Sequence, residues 1–351
     1  GAGQEAGPES AGPMMMPVHD LVVIGAGPAG LATAIAATRA GFDYTVIEKG
    51  GLVDGVYRFP AQMVFFTTPE LLEIGGLPFV TPYDKPTRAE ALKYYRRVAD
   101  AFQLRLALNE TVAAVRRGPD GLFRIDAKPD GREVCTRTAR AVVFATGYYC
   151  QPNLLGFPGV DRPNVFHSFS DPHVGYRKRV VVVGGKNSAA ETALELFRAG
   201  AHVTLVHRGA GVSDSIKYWV KPDIENRIAE GAIAARFKTA IRAIGPDHVE
   251  VDSAAGRESL QADLVFLMTG YHPDERLLGA AGVTFEDEHR VARFDPETQE
   301  TAVPNLFLAG GVVSGQGTPP VFIENGRLHG DRIVATLRAR WGSKDRPQAT
   351  D

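Results

Sequence analysis

Cysteine is scarce in this sequence. Its 351 residues include two cysteines, Cys135 and Cys150, and no C-x-x-C pair. Disulfide-rich secreted domains and structural zinc sites need several cysteines at short spacings, so neither class fits and no metal site is predicted. The same scarcity favours a protein kept reduced in the cytoplasm.

An excess of charge of one sign and long apolar runs are also lacking. The 39 Lys and Arg residues are balanced by 41 Asp and Glu residues, for a formal net charge of −2. This balance gives no electrostatic reason to expect a nucleic acid or an anionic membrane as a partner. No apolar run approaches the roughly 20 residues that span a bilayer.

The length and composition are those of an ordinary globular protein. Apolar residues make up 44% and charged residues 23% of the chain, and 351 residues predict two domains. Residues 1–17 are rich in Gly, Pro and Ala and lack both basic residues and the apolar centre of a secretory signal. We expect them to form a disordered extension, and residues 343–351 to form a tail.

A glycine-rich turn, GAGPAG, lies between an apolar run and a helical pattern near the start of the chain. Gly25 permits a tight turn, Gly27 lets the backbone approach a pyrophosphate, and Gly30 lets the helix pack on the strand. Glu48 follows Gly25 by 23 residues, at the end of the next strand, where a carboxylate accepts hydrogen bonds from a ribose. Together these features predict an adenine dinucleotide site.

The same pattern recurs in RVVVVGGKNSAAETALELFRAGAHVTLVHRG. Gly184 opens the turn, and the helix is expected from Ser188 onward. His207 and Arg208 stand where the first copy has its acid, and a basic pair matches the 2′-phosphate of NADPH. Because Lys186 replaces the middle glycine, a nucleotide fold that has lost its ligand remains an alternative for this copy.

Further apolar strands end in small residues. The strand 141–149 ends in Thr146 and Gly147, and the strand 262–274 carries Gly270. We interpret these ends as points where the chain crosses between domains. A third strand ends in Gly310 and Gly311, and in flavoproteins an Asp often follows that first glycine and contacts the ribityl chain. Here Gly311 offers a backbone N–H instead.

The order of these patterns predicts a nested architecture. An FAD-binding domain would comprise residues 18–156 and 273–342, with an NADPH-binding domain, residues 157–272, inserted between them. Residues 322–341 are expected to form one helix with its N-terminus directed at the flavin. The fold class is α/β with two Rossmann-like dinucleotide-binding domains.

Over nearly the whole chain after residue 18, the sequence resembles the YpdA-type bacillithiol disulfide reductases. The stretches that carry the resemblance are GLVDGVYRFPAQMVFFTTPELLEIG, KPTRAEALKYYR, GGKNSAAETALEL, SDSIKYWVKPDIE, MTGYHPD and FIENGRLHG. The resemblance implies a thioredoxin-reductase-like homodimer with FAD and NADPH as cofactors. It also implies electron flow from NADPH through FAD to the disulfide of an oxidised low-molecular-weight thiol.

The motifs and the resemblance together predict two sets of cofactor-binding residues. For FAD they are Gly25, Gly27, Pro28, Ala29, Gly30, Glu48, Lys49, Leu52, Thr146, Gly147, Gly310, Gly311 and Ile323. For NADPH they are Gly184, Gly185, Lys186, Asn187, Ser188, His207, Arg208 and Gly270.

One position departs from the family. Its first glycine loop typically reads G-G-G-P-C-G, and the cysteine is the candidate redox group; here that position is Ala29. Reduction of a disulfide by a flavin normally needs a thiolate that attacks it. Cys150, just after Thr146 and Gly147, is a candidate relay or an ordinary packing cysteine.

Other functions stay open at this point. Cysteine-free relatives of thioredoxin reductase pass electrons to ferredoxin or a quinone-like acceptor, and the segment around His167 is similar to one in flavin monooxygenases. A non-enzymatic FAD redox sensor is a further alternative. Tyr218 and Trp219 are candidates for stacking on a nicotinamide or substrate, or for packing.

Overall fold

The computed structural model of the chain describes residues 17–149, 151–153, 155–286, 290–315 and 321–342. The strands in chain order are β1 (Val18–Ile24), β2 (Tyr44–Ile47), β3 (Leu106–Ala107), β4 (Glu110–Arg117), β5 (Phe123–Pro129), β6 (Cys135–Phe144), β7 (Gln151–Pro152), β8 (Val165–Phe166), β9 (Arg179–Val183), β10 (His202–Val206), β11 (Ala234–Arg236), β12 (Ala240–Ile244), β13 (His248–Ser253), β14 (Gly256–Gln261), β15 (Leu264–Leu267), β16 (Tyr271–His272), β17 (Phe285–Glu286), β18 (Val291–Ala292) and β19 (Leu306–Leu308). The helices are α1 (Pro28–Ala40), α2 (Asp54–Tyr57), α3 (Pro69–Leu72), α4 (Arg88–Ala101), α5 (Asn187–Arg198), α6 (Lys221–Ala229), α7 (Glu275–Ala280), α8 (Ile323–Gly326) and α9 (His329–Trp341), with 3₁₀ turns at Pro172–Gly175 and Gly310–Ser314.

The first sheet has the strand order β3-β2-β1-β6-β5-β4, and β19 also pairs with β6. Strands β3, β2, β1, β6 and β19 run parallel, whereas β5 pairs antiparallel with both β4 and β6. The long strand β6 pairs with β1 along one side and with two strands along the other, where β5 pairs with residues 135–139 and β19 with residues 142–144.

Both faces of this sheet are buried. Leu21 and Val23 point into a core shared with α1, α4 and α9, while Val22 and Ile24 point into a second core that includes Leu278 of α7. Because successive side chains of a strand point to opposite faces, a strand covered on both sides reads as a continuous apolar run. This burial explains why β1 is recognisable in the sequence.

The second sheet is parallel throughout, in the order β11-β10-β9-β15-β8. Its two faces differ in what covers them. One face packs against α5 and α6 through residues such as Leu194 and Ile224. The other packs against the small antiparallel sheet β12-β13-β14 through residues such as Val249 and Val251.

The strands of the second sheet lie in sequence between β6 and β19, which are neighbours in the first sheet. The chain leaves and re-enters the first sheet through the antiparallel pair β7 and β16. An insertion of this kind is what the nested sequence pattern predicts. No helix in the described part of the chain combines the length and apolarity required to cross a membrane.

The C-terminal helix differs from its prediction. One helix over residues 322–341 is wrong, since α8 ends at Gly326 and α9 begins at His329. Close backbone contacts accompany the break: a Cβ at Gly326 would lie 2.9 Å from Gly310 Cα, and one at Gly330 would lie 2.5 Å from Thr33 Cα. Two short helices in place of one allow α8 to pack against Gly310 and α9 to pack against Thr33. The helix expected from Ser188 begins one residue earlier.

Candidate active site

The predicted FAD residues follow the carboxyl ends of parallel strands that end in register. Ile24 at the end of β1 pairs with Ile47 of β2 and Phe144 of β6, and Phe144 pairs with Leu308 of β19. The segments that follow these four strands therefore meet at one edge of the sheet, where α/β folds bind their ligands. They contain every predicted FAD residue except Ile323, which is half-buried and begins α8.

The first glycine loop is shaped by close backbone contacts. Gly25 has φ +109°, and a Cβ there would overlap the carbonyl oxygen of Ala145. A Cβ at Gly30 would overlap the carbonyl oxygen of Gly25. By contrast, a Cβ at Gly27, the N-cap of α1, would meet no atom within 4 Å. The loop thus leaves open space beside the free N–H groups of the helix, which suits a pyrophosphate.

Glu48 is buried, with 8% of its surface exposed, and its carboxylate holds the loop. Oε2 accepts a hydrogen bond from the Ala26 N–H at 2.7 Å, and Oε1 accepts one from the Gly50 N–H at 3.0 Å. Each carboxylate oxygen has a further lone pair that can accept a ribose hydroxyl. Next along the chain, Lys49 is exposed and Leu52 packs against the core that includes α1.

Ala29 lies at the second position of α1 and packs against the turn after β19. A Cβ built on Gly310 would lie 2.6 Å from Ala29 Cβ. Gly311 is near the segment after β6, because a Cβ there would lie 3.4 Å from Tyr148 Cβ. The position that carries a cysteine in the similar family is therefore at the centre of this edge.

The predicted NADPH residues meet at the corresponding edge of the second sheet. Val183 at the end of β9 pairs with Val206 of β10 and Leu267 of β15, so the segments that follow these strands are neighbours. Lys186 is the N-cap of α5 with φ −108°, an extended conformation that any residue adopts. The lysine in place of the second motif glycine therefore requires no strain.

His207 and Arg208 occupy different environments. The His207 ring lies between two glycines: a Cβ at Gly185 would overlap Nε2, and one at Gly209 would lie 2.6 Å from it. Burial, with a contribution from the Arg208 charge, lowers the pKa of His207, so the ring is neutral at pH 7. Arg208 is exposed. The predicted basic pair thus combines a half-buried, neutral imidazole with an exposed guanidinium.

Asn187 uses its side-chain amide within the protein. Oδ1 accepts a hydrogen bond from the Lys217 N–H at 2.8 Å, and Nδ2 donates to the Ser215 carbonyl at 3.3 Å. The Ser213 N–H donates to the Gly185 carbonyl at 2.8 Å. Residues 213–217 are therefore attached to the second glycine loop, while Ser188 is exposed beside it.

The same segment contacts the first domain. Lys217 Nζ donates to Glu191 Oε1 at 2.6 Å and to the Val64 carbonyl at 3.4 Å. Trp219 stacks on Phe66 at 5.7 Å between ring centroids, and Lys85 Nζ lies 3.7 Å from the centre of the Trp219 ring. Trp219 nevertheless stays 36% exposed, so its stacking on a nicotinamide or substrate remains a prediction.

The crossings between the two sheets are hydrogen-bonded to each other. The Asn153 N–H donates to the Gly270 carbonyl at 2.9 Å, and Asn153 Nδ2 donates to the Thr269 carbonyl at 3.0 Å. The Tyr271 hydroxyl donates to the His167 carbonyl at 2.6 Å. Gly270 therefore lies at the edge of the second sheet and also accepts a hydrogen bond within the crossing.

Aromatic rings cluster where the first crossing leaves the FAD edge. The Tyr149 ring centroid lies 5.4 Å from Tyr148, 5.5 Å from Tyr271 and 5.6 Å from Phe59. Burial raises the pKa of all three tyrosines, so their phenols stay protonated at neutral pH. No sequence motif indicated Tyr148 or Asn153, although both follow closely on Thr146 and Gly147, which mark the first crossing.

Cys135 is remote from the FAD edge. It begins β6, a strand of 10 residues that spans about 30 Å, and the predicted site lies beyond the other end. Its Sγ donates to Glu110 Oε1 at 3.0 Å, and burial together with this bond raises the pKa of the thiol. Cys150 lies outside the described residues.

Comparison with known proteins gives matches along most of the chain. A family model described as pyridine nucleotide-disulphide oxidoreductase matches residues 22–310. Bacilliredoxin reductase Bdr of Bacillus subtilis strain 168 is 40% identical over 322 residues, which is 91% of this chain and 97% of that protein. The structure of bacillithiol disulfide reductase Bdr (YpdA) from Bacillus cereus is similar with a TM-score of 0.90 and 36% identity, covering 92% of this chain and 100% of that one. For the Staphylococcus aureus protein of that name the TM-score is 0.87 at 36% identity, over 93% and 100%.

These matches confirm the resemblance to the YpdA-type reductases that the quoted stretches predicted. They also confirm the fold class, α/β with two Rossmann-like domains of a thioredoxin-reductase-like flavoprotein.

Proposed function

Because the chain belongs to the pyridine nucleotide-disulphide oxidoreductase family, we propose that it uses NADPH and FAD to reduce a low-molecular-weight disulfide. The chain is an oxidoreductase that works with FAD and NAD(P)H; the choice of NADPH and of the acceptor is the proposal. In the reaction, one disulfide, one NADPH and one proton give two thiols and NADP⁺. FAD, when bound, accepts a hydride from the nicotinamide and passes both electrons on.

The observation that carries the proposal is that, in each of the two large sheets, the predicted residues of one cofactor follow the carboxyl ends of parallel strands that end in register. We assign to FAD the edge with Glu48, whose carboxylate suits a ribose and repels a 2′-phosphate. We assign to NADPH the edge with Arg208, an exposed guanidinium. We assign the other residues predicted for each cofactor to the same edge as Glu48 or Arg208, respectively. The 40% sequence identity with bacilliredoxin reductase, over 91% of this chain, favours a disulfide as the acceptor. It favours this acceptor over the ferredoxin, monooxygenase and sensor alternatives.

We further infer the domain organisation and the assembly. The FAD-binding domain would comprise residues 18–156 and 273–342, and the NADPH-binding domain residues 157–272. We infer a homodimer from the resemblance to the YpdA-type reductases. We infer a cytoplasmic location from the scarcity of cysteine. Size-exclusion chromatography with light scattering of the holoenzyme tests the oligomeric state.

The function is tested by anaerobic titration of the purified yellow protein with NADPH. We expect the flavin to be bleached by NADPH, and bacillithiol disulfide to restore its colour with release of thiol. Ferredoxin, a quinone and oxygen with an amine substrate serve as competing acceptors in the same assay. Bleaching without re-oxidation by the disulfide would contradict the proposed acceptor, and failure to take up flavin would contradict the cofactor.

Substitution of each of the two cysteines tests whether a protein thiol carries electrons from the flavin to the disulfide. If Cys150 relays them, Cys150→Ser keeps the bleaching by NADPH but loses disulfide reduction. We expect Cys135→Ser to retain both activities, because its thiol lies at the far end of β6 and is hydrogen-bonded to Glu110. Equal turnover in both variants would mean that electrons reach the disulfide without a protein thiol.

The choice of nicotinamide is tested at Arg208. We expect Arg208→Gln to raise the KM for NADPH by about 10- to 100-fold, the effect of losing charge-assisted hydrogen bonds to a phosphate. The KM for NADH should change little. The matched control is Arg257→Gln, an exposed arginine of β14 that pairs with Asp252. Parallel shifts for both nucleotides would place the 2′-phosphate elsewhere.

A further inference from the structure

The imidazole of His329 is hydrogen-bonded to the backbone of the turn after β19. His329 is the first residue of α9 and is 7% exposed. Its Nδ1 accepts a hydrogen bond from the Gly310 N–H at 3.1 Å. This contact joins two segments that are 19 residues apart, and one of them forms the FAD edge. His329 lies in the stretch FIENGRLHG, which carries the family resemblance, but it is not among the predicted cofactor-binding residues.

The imidazole is held as a neutral acceptor. Burial, with a contribution from Arg332 on the same helix, lowers the pKa of His329 to about 4. With Nδ1 accepting from an amide, the remaining proton of the neutral ring resides on Nε2. A protonated ring would present an N–H to the Gly310 N–H, so the observed contact requires the neutral form.

The turn that His329 contacts is packed on both sides. Gly310 has φ +75°, and a Cβ there would lie 2.6 Å from Ala29 Cβ in the first glycine loop. On the other side, a Cβ at Gly326 would lie 2.9 Å from Gly310 Cα. The helix that carries the imidazole is itself fixed, because Gly330 packs directly on Thr33 of α1. The bond therefore connects the turn to α9, and α9 packs on α1, the helix that begins at the glycine loop.

We propose that His329 is a positioning residue of the flavin site, holding the Gly310 amide so that the Gly310–Gly311 turn is preformed for FAD. The proposal rests on the assignment of FAD to this edge. Flavoproteins of similar pattern often have an Asp after the first glycine of this turn, and here Gly311 brings only its backbone. A backbone N–H is useful to a ligand only in a fixed orientation, and the bond from Gly310 to His329 fixes the peptide immediately before it.

The test compares His329→Leu with His329→Asn in apoprotein reconstituted with FAD. The leucine leaves the buried Gly310 N–H without an acceptor, and we expect the Kd for FAD to rise about 5- to 100-fold. The asparagine can place Oδ1 near the position of Nδ1, and we expect its Kd within about threefold of the wild type. Flavin fluorescence quenching gives the Kd, and the visible spectrum of the bound flavin reports a change in its surroundings.

A purely structural role would give a different pattern. It would lower the unfolding temperature of the apoprotein without changing the Kd for FAD of the folded fraction. The matched control is His19→Leu on β1, whose imidazole pairs with Asp43 near the amino end of that strand, away from the loop. Should His329→Leu fail to fold, His329→Ala replaces it.

The possible outcomes separate this proposal from the proposed function. Equal Kd values and spectra for wild type, His329→Leu and His329→Asn overturn the positioning role while leaving the reductase assignment intact. A wild-type protein that binds no FAD overturns the assignment itself. A weakened leucine variant rescued by asparagine supports both.

Discussion

Replacing Gly27 by alanine is expected to leave the protein folded and to weaken FAD binding by about 10- to 100-fold. In the structure a Cβ at this position would meet no atom within 4 Å, so the apoprotein gains no clash. The methyl group would instead occupy the space at the start of α1 in which we place the pyrophosphate. The Kd for FAD and the unfolding temperature of the apoprotein are the two measurements.

Two further glycines make the result interpretable. Gly30→Ala is expected to lower the unfolding temperature of the apoprotein as well, because its Cβ would overlap the Gly25 carbonyl oxygen within the loop. Gly211→Ala is the control: it also has no neighbour within 4 Å but lies in the second domain. Full flavin loading of Gly27→Ala would mean that the pyrophosphate does not approach this loop.

The segments that could be predicted are those in which local sequence determines local structure. Strands covered on both faces appear as apolar runs, as in β1 and β9, and each is followed by the glycine turn that its helix requires. The register that aligns Ile24, Phe144 and Leu308 follows from parallel pairing once the strands are known. The two edges to which we assign the cofactors could therefore be predicted from the sequence.

Contacts between distant segments could not be predicted. The motif position of His207 indicates a cation, yet Gly185 and Gly209 enclose its ring, and burial lowers its pKa. The side-chain amide of Asn187, a residue predicted to bind NADPH, is hydrogen-bonded to the Ser215 carbonyl and the Lys217 N–H. Neither contact can be recognised from the periodicity or spacing of residues in the sequence, because each depends on how a later loop packs against the motif.

The contacts of residues 213–219 also depend on how distant segments pack, and they too could not be predicted. Residues 213–219 bind the second glycine loop and also reach Val64 and Phe66 of the first domain. These residues therefore contact both the second glycine loop and the first domain. The stretch SDSIKYWVKPDIE was recognised as a family feature, but its physical role required the structure.

Replacing Ala29 by cysteine is expected to restore the thiol that the first glycine loop of similar proteins carries. Residue 29 is the second residue of α1, and a helix N-terminus stabilises a thiolate. Its Cβ faces Gly310, at the edge we assign to FAD. We therefore expect a long-wavelength absorbance band from a thiolate beside the oxidised flavin, growing as pH rises through the thiol pKa.

The kinetic consequence follows from the chemistry of disulfides. A thiolate at residue 29 would attack one sulfur of the substrate disulfide, forming a mixed disulfide and releasing the first thiol as the substrate S–S bond breaks. The two electrons that bound FAD would supply then reduce the mixed disulfide, which releases the second thiol and regenerates the thiolate at residue 29. We expect turnover with bacillithiol disulfide to rise at least about tenfold, or 1.4 kcal/mol of barrier. Ala29→Ser, similar in size but not nucleophilic, should show neither band nor gain. If Ala29→Cys bound FAD normally but behaved like the serine variant, residue 29 would lie away from the reacting ring and the wild-type alanine would not limit disulfide reduction.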